Sequence, residues 1–220
     1  MPAVWSVGNG TITNIFAYRD LVQSSLSDID ATPSSFFHAL AGLETEQISN
    51  ELRYTGDLSD KTKLTAGLYY FKNELSANEN RRLLGLIAPP GFFGLTQGGG
   101  GDYEVEPKGL FVSLEHDLTE RLTVTAGARY TDEDKKASIA SLARNINSPC
   151  SVIDGTCPFD FVDDESWSNV SPKLGATYDY SDSTMLYDHI TRGYRSGGYN
   201  LRNTAIDTVN FGPGRLMKSQ

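Results

Sequence analysis

The sequence predicts an all-β fold, an antiparallel up-and-down transmembrane β-barrel of which about eight strands are present. Long stretches alternate apolar and polar residues, which is the period of a strand with two different environments. A short acidic turn followed by such a stretch recurs, beginning at residues 57, 117 and 179. The connections between these units are long and rich in Gly, Pro, Ser and Asn. Short turns at one end and long loops at the other are typical of a transmembrane barrel.

The first two hairpins are predicted from their turns. "VGNGT" at residues 7–11 contains the Asn-Gly pair of a two-residue hairpin turn, so it predicts a truncated strand over 3–7 and a longer strand after it. "DLSDK" at 57–61 supplies Asp and Ser, whose side chains satisfy turn backbone locally. The stretches on either side of it, 48–54 and 63–70, are predicted to be its two strands.

The next two hairpins repeat this pattern. The turn "DLTER" at 117–121 precedes a strand, and "DYSDS" at 179–183 precedes a final strand over about 184–196. The alternation is clearest after the first of these turns, where one face carries Leu122, Val124, Ala126, Ala128 and Tyr130 and the other Arg121, Thr123, Thr125, Gly127 and Arg129.

The connections between hairpins are predicted to be long loops over 26–45, 75–103, 136–166 and from 198 onward. The "GGGGD" at 98–102 is predicted to be a flexible loop tip, since no strand–helix unit surrounds it that would make it a nucleotide cradle. A compact soluble domain seldom contains several structureless loops of this length. The rival interpretation is a soluble β-rich binding module, such as a propeller or a lectin-like array, but propeller blades pack four short strands per repeat.

Composition excludes several classes of function. The net charge of −9, without a basic stripe, predicts no nucleic-acid partner. No run of eighteen apolar residues predicts a transmembrane helix, and the start "MPAVWSVGNG" lacks the features of a signal peptide. There is no nucleophile elbow, phosphate loop or zinc-protease helix motif, so we expect neither an enzyme nor a bound cofactor.

One stretch carries a family resemblance. "SPKLGATYDYSDSTMLYDHITRGYRSGGYN" at 171–200 resembles a passage in the barrels of TonB-dependent outer-membrane receptors. Further stretches are similar to other strands of that family, in family order: "GTITNIFAYRD" (10–20), "ISNELRYTG" (48–56), "TAGLYYFKNE" (65–74) and "TVTAGARYTDEDKK" (123–136). The resemblance covers about residues 5–200.

The resemblance implies an outer-membrane active-transport receptor of a Gram-negative bacterium. Family members have a barrel of twenty-two strands closed by a plug. They take up scarce nutrients such as iron–siderophore complexes, cobalamin, haem or glycans, with energy from an inner-membrane complex. The expected partners are therefore outer-membrane lipid, a small-molecule substrate such as a ferric siderophore, and, in a full-length parent only, a TonB-type energy-transducing protein.

The chain departs from the family pattern, because it has no plug, no motif for engaging the energy-transducing protein and no run of strands ending in an aromatic C-terminus. With the short turns on the periplasmic side, the first strand descends and the last climbs, so both ends are expected to point outward. We therefore interpret residues 1–220 as one partial barrel domain, an internal sector with open edges. A complete small eight-strand outer-membrane barrel is the alternative.

Candidate site residues fall into three groups. If the alternation holds, a set of mostly charged side chains points into the lumen, where it contacts plug, substrate or water: Glu51, Arg53, Lys63, Tyr69, Glu115, Arg121, Arg129, Lys173 and Asp179. Cys150 and Cys157 are predicted to form a disulfide within a long outer loop, with two free thiols or a metal pair as the alternatives.

The third group has weaker patterns. An acidic run could gather a cation, but it has no calcium-loop spacing and is interpreted as a solvated loop edge: Asp160, Asp163, Asp164 and Glu165. The scattered His38, His116 and His189 are interpreted as structural or surface residues, so no metal site is predicted.

One conflict arises in the last strand. Extending the register of the repeat places Asp188 and Arg192 on the lipid side, where a charge near mid-membrane costs up to about 3 kcal/mol. Either a bulge shifts the register there or these residues lie near the interface.

Overall fold

The computed structural model describes residues 2–33, 36–83, 95–142, 145–148 and 150–201. The C-terminal segment 202–220, and the centre of the predicted 75–103 loop at 84–94, lie outside the described residues. The strands are Ala3–Val7 (β1), Gly10–Asp28 (β2), Phe37–Ser59 (β3), Thr62–Leu83 (β4), Leu95–Thr119 (β5), Leu122–Ala140 (β6), Phe161–Ser181 (β7) and Thr184–Thr191 (β8).

All eight strands form one antiparallel sheet in the order β1-β2-β3-β4-β5-β6-β7-β8. Each strand pairs with the next along the chain, so the predicted up-and-down topology is confirmed. In the described part of the chain, β1 and β8 do not pair with each other, and the sheet is open. The described residues also include no helix long and apolar enough to cross a membrane.

The repeated acidic turns have a common backbone geometry. Each follows a register shift in the preceding strand, between Asp57 and Ser59, between Asp117 and Thr119, and between Asp179 and Ser181. The amide of each Asp donates a hydrogen bond to a carbonyl in the neighbouring turn. These bonds are Asp57 N to Asn9 O (3.2 Å), Asp117 N to Lys61 O (2.9 Å) and Asp179 N to Arg121 O (2.8 Å). The repeat therefore encodes a row of bulged turns that support one another.

At the other end, the prediction of long loops needs a correction. β2 to β7 continue well into the stretches expected to be loops, and the connections shrink to 29–36, 84–94 and 141–160. The prediction of a flexible "GGGG" tip was wrong, because Gly98 to Gly101 lie in β5 and are buried. A Cβ on Gly100 would lie 2.0 Å from the carbonyl oxygen of Ala77. Glycines are required where neighbouring backbone approaches this closely.

The final strand is shorter than expected. β8 ends at Thr191, and residues 192–200 have no regular secondary structure. The last backbone contact on this path is the bond from Arg192 N to Pro172 O at 3.1 Å. After that residue the chain leaves the edge of β7.

The two faces of the sheet have different chemistry. Along one face, directly paired residues form apolar rows; one row is Leu52, Leu68, Leu110, Tyr130 and Val170, and another is Leu64, Leu114, Ala126, Leu174 and Ile190. We call this the apolar face. The opposite face, which carries Arg53, Phe111, Arg129 and Ser171, is called the polar face.

The apolar face is not covered by protein. Leu68 and Leu110 are both 55 % exposed, and Ile190 is 76 % exposed. The buried apolar residues of the described chain lie instead near the loop ends of the strands, and they include Ala137, Ile139, Leu142 and Val152. A single-layer sheet with its core at the loop end and a bare apolar face over the turn half of its strands needs another apolar environment there.

Candidate functional site

The polar face collects the predicted lumen residues. All of them except Arg121 lie in strands and point to this face. Residues directly opposite each other on neighbouring strands share a face, and the relevant pairs are Glu51 with Tyr69, Lys63 with Glu115, Phe111 with Arg129, Gly127 with Lys173, and Asp179 with Met185. Arg121 lies in the turn between β5 and β6 rather than in a strand. Which molecule this face contacts stays a prediction.

Arg129 and Tyr69 form the centre of this surface. The guanidinium of Arg129 lies 5.3 Å from the centre of the Tyr69 ring. The arginine reaches across Gly109, where an added Cβ would lie 2.9 Å from its Nη2 atom. The absence of a side chain at Gly109 therefore allows the cation–π contact. Nearby, Glu51 Oε1 lies 3.3 Å from Arg53 Nη1, an ion pair on the same strand.

Towards the loop end, residues 193–201 return across the polar face, and we call this segment the strap. It contacts residues of β5, β6 and β7 whose side chains share that face. Lys135 Nζ donates to Ser196 Oγ and to the carbonyl of Gly197, both at 2.6 Å. The same ammonium lies 3.0 Å from Glu133 Oε1 and 5.5 Å from the Trp167 ring.

Aromatic contacts fix the far half of the strap. Tyr199 meets Tyr103 edge to face, with ring centres 6.3 Å apart, and Phe161 at 6.1 Å. Its hydroxyl donates to Asp163 Oδ2 at 3.1 Å. Burial raises the pKa of Tyr103 to about 12, and burial and then the bond to Asp163 raise the pKa of Tyr199. Both phenols are therefore protonated at neutral pH.

A cavity of about 280 Å³ lies beside the end of the strap. Most of its wall consists of small or neutral side chains from β2 to β4, and Leu201 of the strap closes one side. The cavity is lined by Gln23, Ser25, Ser27, Ala39, Ala41 and Ala77, among others. Its charged member, Glu79, is paired with Arg81 at 2.6 Å, so the cavity presents no net charge.

Cys150 and Cys157 form a disulfide in the structure, with an S–S distance of 2.02 Å. The 141–160 connection that holds them is tied to β4 by the bond from Val152 N to Asn78 Oδ1 at 3.0 Å. Its backbone also bonds to β5, through Asn147 N to Thr96 O at 2.8 Å. The described residues of this connection are thus bonded to β4 and β5 at the loop end.

The acidic run is dispersed in the structure. Asp160 accepts hydrogen bonds from the backbone and hydroxyl of Ser141, at 3.1 and 2.5 Å, and Asp163 contacts the strap. In the register of β6 and β7, Asp164 lies opposite Lys136 and Glu165 lies opposite Lys135. No group of three or more His, Cys, Asp or Glu residues in the described chain is placed to hold a metal.

The histidines are also separate. His116 bonds with Thr62 Oγ1 at 2.9 Å, and His38 Nε2 lies 4.0 Å from Asp28 Oδ1. His189 lies opposite Gly175 on β7 and is exposed.

The structure shows no register shift at Asp188, and the alternative, that this residue lies near the membrane interface, stays a prediction. Asp188 pairs with Ala176, in line with Leu174 opposite Ile190, so it does lie on the apolar face. It is close to the turn end of the sheet, two residues from the pair of Leu186 and Tyr178. Arg192 lies beyond the end of β8 and is exposed.

Sequence reasoning missed Lys135, Trp167 and the strap. The alternation does assign Lys135 and Glu133 to the polar face, but it gives no reason to separate them from other lumen charges. Their importance comes from a segment about sixty residues further along the chain, which the sequence predicted to be strand up to about residue 196 and loop from residue 198. Such a long-range contact leaves no periodic signal.

An all-antiparallel sheet in chain order, with one bare apolar face and one charged face, defines the class of outer-membrane β-barrel proteins. The particular family follows from the sequence: residues 3–216 match the model of the family "TonB dependent receptor-like, beta-barrel". The chain belongs to this family, and the predicted resemblance is confirmed. No curated protein sequence matches the chain.

The fold is similar to that of a solved receptor. The crystal structure of the ferric yersiniabactin uptake receptor FyuA from Yersinia pestis superposes with a TM-score of 0.71 at 19% sequence identity. The match covers 92% of this chain and 28% of the FyuA chain. The chain therefore spans less than a third of the length of this structural relative.

Proposed function

We propose that the chain forms part of the barrel wall of an outer-membrane receptor that actively takes up a ferric siderophore. The observation that carries this proposal is the family match over residues 3–216. The fold likeness to a ferric-siderophore uptake receptor supports the choice of substrate class. The function is transport rather than catalysis, and the partners are outer-membrane lipid, the ferric siderophore and a TonB-type energy-transducing protein.

The dimensions of the apolar face support a position in the outer membrane. On β5 this face runs from Leu110 to Leu118 without a carboxylate, lysine or arginine side chain. Tilted as barrel strands are, this stretch spans about 20 Å, most of the ~25 Å height of the apolar band of such barrels. The next pair towards the loop end, Lys108 and Asp132, is charged. We infer that hydrocarbon covers the apolar face and ends at this pair.

We also propose that residues 1–220 are a sector of a larger barrel rather than a complete small one. Backbone groups on the outer edges of β1 and β8 need partners in lipid, where an unpaired amide or carbonyl is costly. Further strands of the same wall supply them. The bare apolar face argues equally against a soluble binding module, because such modules cover their apolar residues.

Transport assays in iron-limited cells test the proposal. Cells that express the complete receptor containing this sector should accumulate radioactive iron supplied as a siderophore complex, and cells that lack it should not. Removal of the energy-transducing protein should abolish the same uptake. Cobalamin and haem serve as control substrates, tested in parallel with hydroxamate, catecholate and phenolate siderophores. If deletion of the receptor leaves iron uptake unchanged with every siderophore, the proposed substrate class is wrong. If deletion instead abolishes the uptake of cobalamin or haem, that compound becomes the proposed substrate.

A further inference from the structure

We propose that residues 193–201 are a detachable strap, held on the polar face by Lys135, that controls access to the cavity beside Leu201. The strap differs from the rest of the wall in how it is held. The strands are joined by continuous backbone ladders, whereas the strap makes side-chain contacts with Lys135, Tyr103, Phe161 and Asp163 and approaches the Trp167 ring at Gly197. A segment held by a few side chains opens at lower cost than a strand in a ladder.

Lys135 is the main anchor. Its side chain is 10 % exposed, and its ammonium donates to both Ser196 and Gly197 while Glu133 balances its charge. Hydrogen bonds from a charged donor are about twice as strong as neutral ones. Loss of this ammonium would remove both polar contacts at once and leave Glu133 without its partner.

The docked state also carries a penalty. The hydroxyl of Tyr194, at the start of the strap, is buried without a hydrogen-bond partner. When the strap is released, water can bond to this hydroxyl. The free energy gained by this bond offsets part of the free energy lost with the anchoring contacts. Release of the strap therefore costs less than its anchoring contacts alone would require.

The geometry links the strap to the cavity. Leu201 closes the cavity on one side, and its Cδ2 lies 3.1 Å from where a Cβ on Gly101 would be. Gly101 pairs directly with Ala77, another residue of the cavity wall. Withdrawal of the strap would remove Leu201 from the cavity wall, and we expect that Ala77, which is half-buried in the docked state, becomes more accessible. Access to the cavity therefore depends on whether the strap is docked.

Two glycines provide a steric test with a matched control. A Cβ on Gly197 would lie 2.7 Å from Trp167 Cζ2, so Gly197→Ala should push the strap off the sheet. A Cβ on Gly193 would meet nothing within 4 Å, so Gly193→Ala should leave the strap in place. Trp167→Leu removes the obstructing ring and should restore docking in the Gly197→Ala variant.

The experiment measures thiol labelling in detergent-solubilised, folded protein, which makes both sides of the sheet accessible. Gly198→Cys reports the strap, since an added Cβ there would have only Lys135 Nζ near it, at 3.9 Å. Ala77→Cys reports the cavity. In Gly197→Ala, both thiols should react about tenfold faster than in the parent. In Lys135→Met the comparison uses Ala77→Cys, which should also react about tenfold faster, because loss of the ammonium beside position 198 changes the reactivity of the strap thiol itself. In Gly193→Ala and in Gly197→Ala with Trp167→Leu, the parental rates should return.

Other outcomes overturn the proposal. If Gly198→Cys reacts as fast in the parent as in unfolded protein, the strap is not docked. If Lys135→Met leaves the Ala77→Cys rate unchanged, or Gly197→Ala leaves both rates unchanged, these residues do not control it. If the strap thiol speeds up while the Ala77→Cys thiol does not, the strap does not control the cavity. Should Lys135→Met fail to fold, the glycine variants decide. None of these readouts uses a substrate, so they are independent of the proposed transport function.

Discussion

Leu64 of β4 and Leu114 of β5 lie directly opposite each other, in the middle of the apolar face. In a soluble protein this pair would be buried against a second layer of structure. Here the described chain supplies no such layer, and Leu114 is 39 % exposed. The pair therefore marks the centre of the apolar face that we assign to lipid, and a charge placed there should be costly.

Leu114→Arg should destabilise the protein by about 2–4 kcal/mol, because a charge at mid-membrane must leave water. Ser113→Arg, one residue earlier on the polar face, is the matched control and should cost about 1 kcal/mol or less. Denaturant titrations of protein refolded into lipid vesicles measure both. Equal costs at the two positions would contradict the assignment of the faces.

The contact between Arg129 and Tyr69 should contribute about 0.5–2 kcal/mol to stability. A double-mutant cycle with Arg129→Met and Tyr69→Leu isolates this coupling from the separate costs of each change. Arg129→Lys keeps the positive charge and tests whether the planar guanidinium matters. Coupling indistinguishable from zero would mean that the two residues are neighbours without an energetic contact.

The turn at Asp30 should open in acid. The Thr32 hydroxyl, followed by the backbone amides of Phe37 and Thr32, lowers the pKa of the Asp30 carboxyl to about 2. Because its folded pKa lies below the unfolded value of about 3.9, the ionised carboxylate stabilises the turn at neutral pH. This stabilisation is lost as the pH falls from about 4 to 2. Amide exchange at Phe36 and Phe37, whose N–H groups donate to Asp30 Oδ2, should accelerate over that range relative to other amides.

Asp30→Ala provides the control for this prediction. Its Phe36 and Phe37 amides should exchange rapidly already at neutral pH and show no additional opening in acid. If the parent protein shows the same exchange profile as Asp30→Ala, the carboxylate does not hold the turn.

The two ends of the sheet should face opposite sides of the outer membrane. The sequence predicts Gly99 to lie in a flexible loop, where an external probe could reach it. In the structure Gly99 is buried in β5, so it is unsuitable as a probe site. Ile146 in the 141–160 connection is 46 % exposed and lies at the loop end. On intact cells, Ile146→Cys should react with a membrane-impermeant thiol reagent, whereas Glu120→Cys in the β5–β6 turn should react only after permeabilisation. The native cysteines are bonded to each other and should not interfere. Labelling of Glu120→Cys alone would invert the orientation.

The sequence by itself determined the local features of this protein. Alternation such as Leu122 to Tyr130 assigned each side chain to a face, because successive residues of a strand point to opposite sides. The acidic turns at 57, 117 and 179 fixed the register of each hairpin, and short hairpins bring together strands that are adjacent in the chain. The family was also evident, since its motifs are written along these strands.

Only the tertiary structure decided where the strands end and where the chain leaves the sheet. Gly98 to Gly101 look like a flexible tip in isolation, yet they are strand residues because β4 and β6 continue beside them and need close backbone approach. The sequence pattern extends the last strand to about residue 196, but the strand ends at Thr191, and Lys135 and Trp167 hold the following residues across the polar face. Contacts between residues distant in sequence compete with local propensity at such sites, and no local pattern records which of them wins.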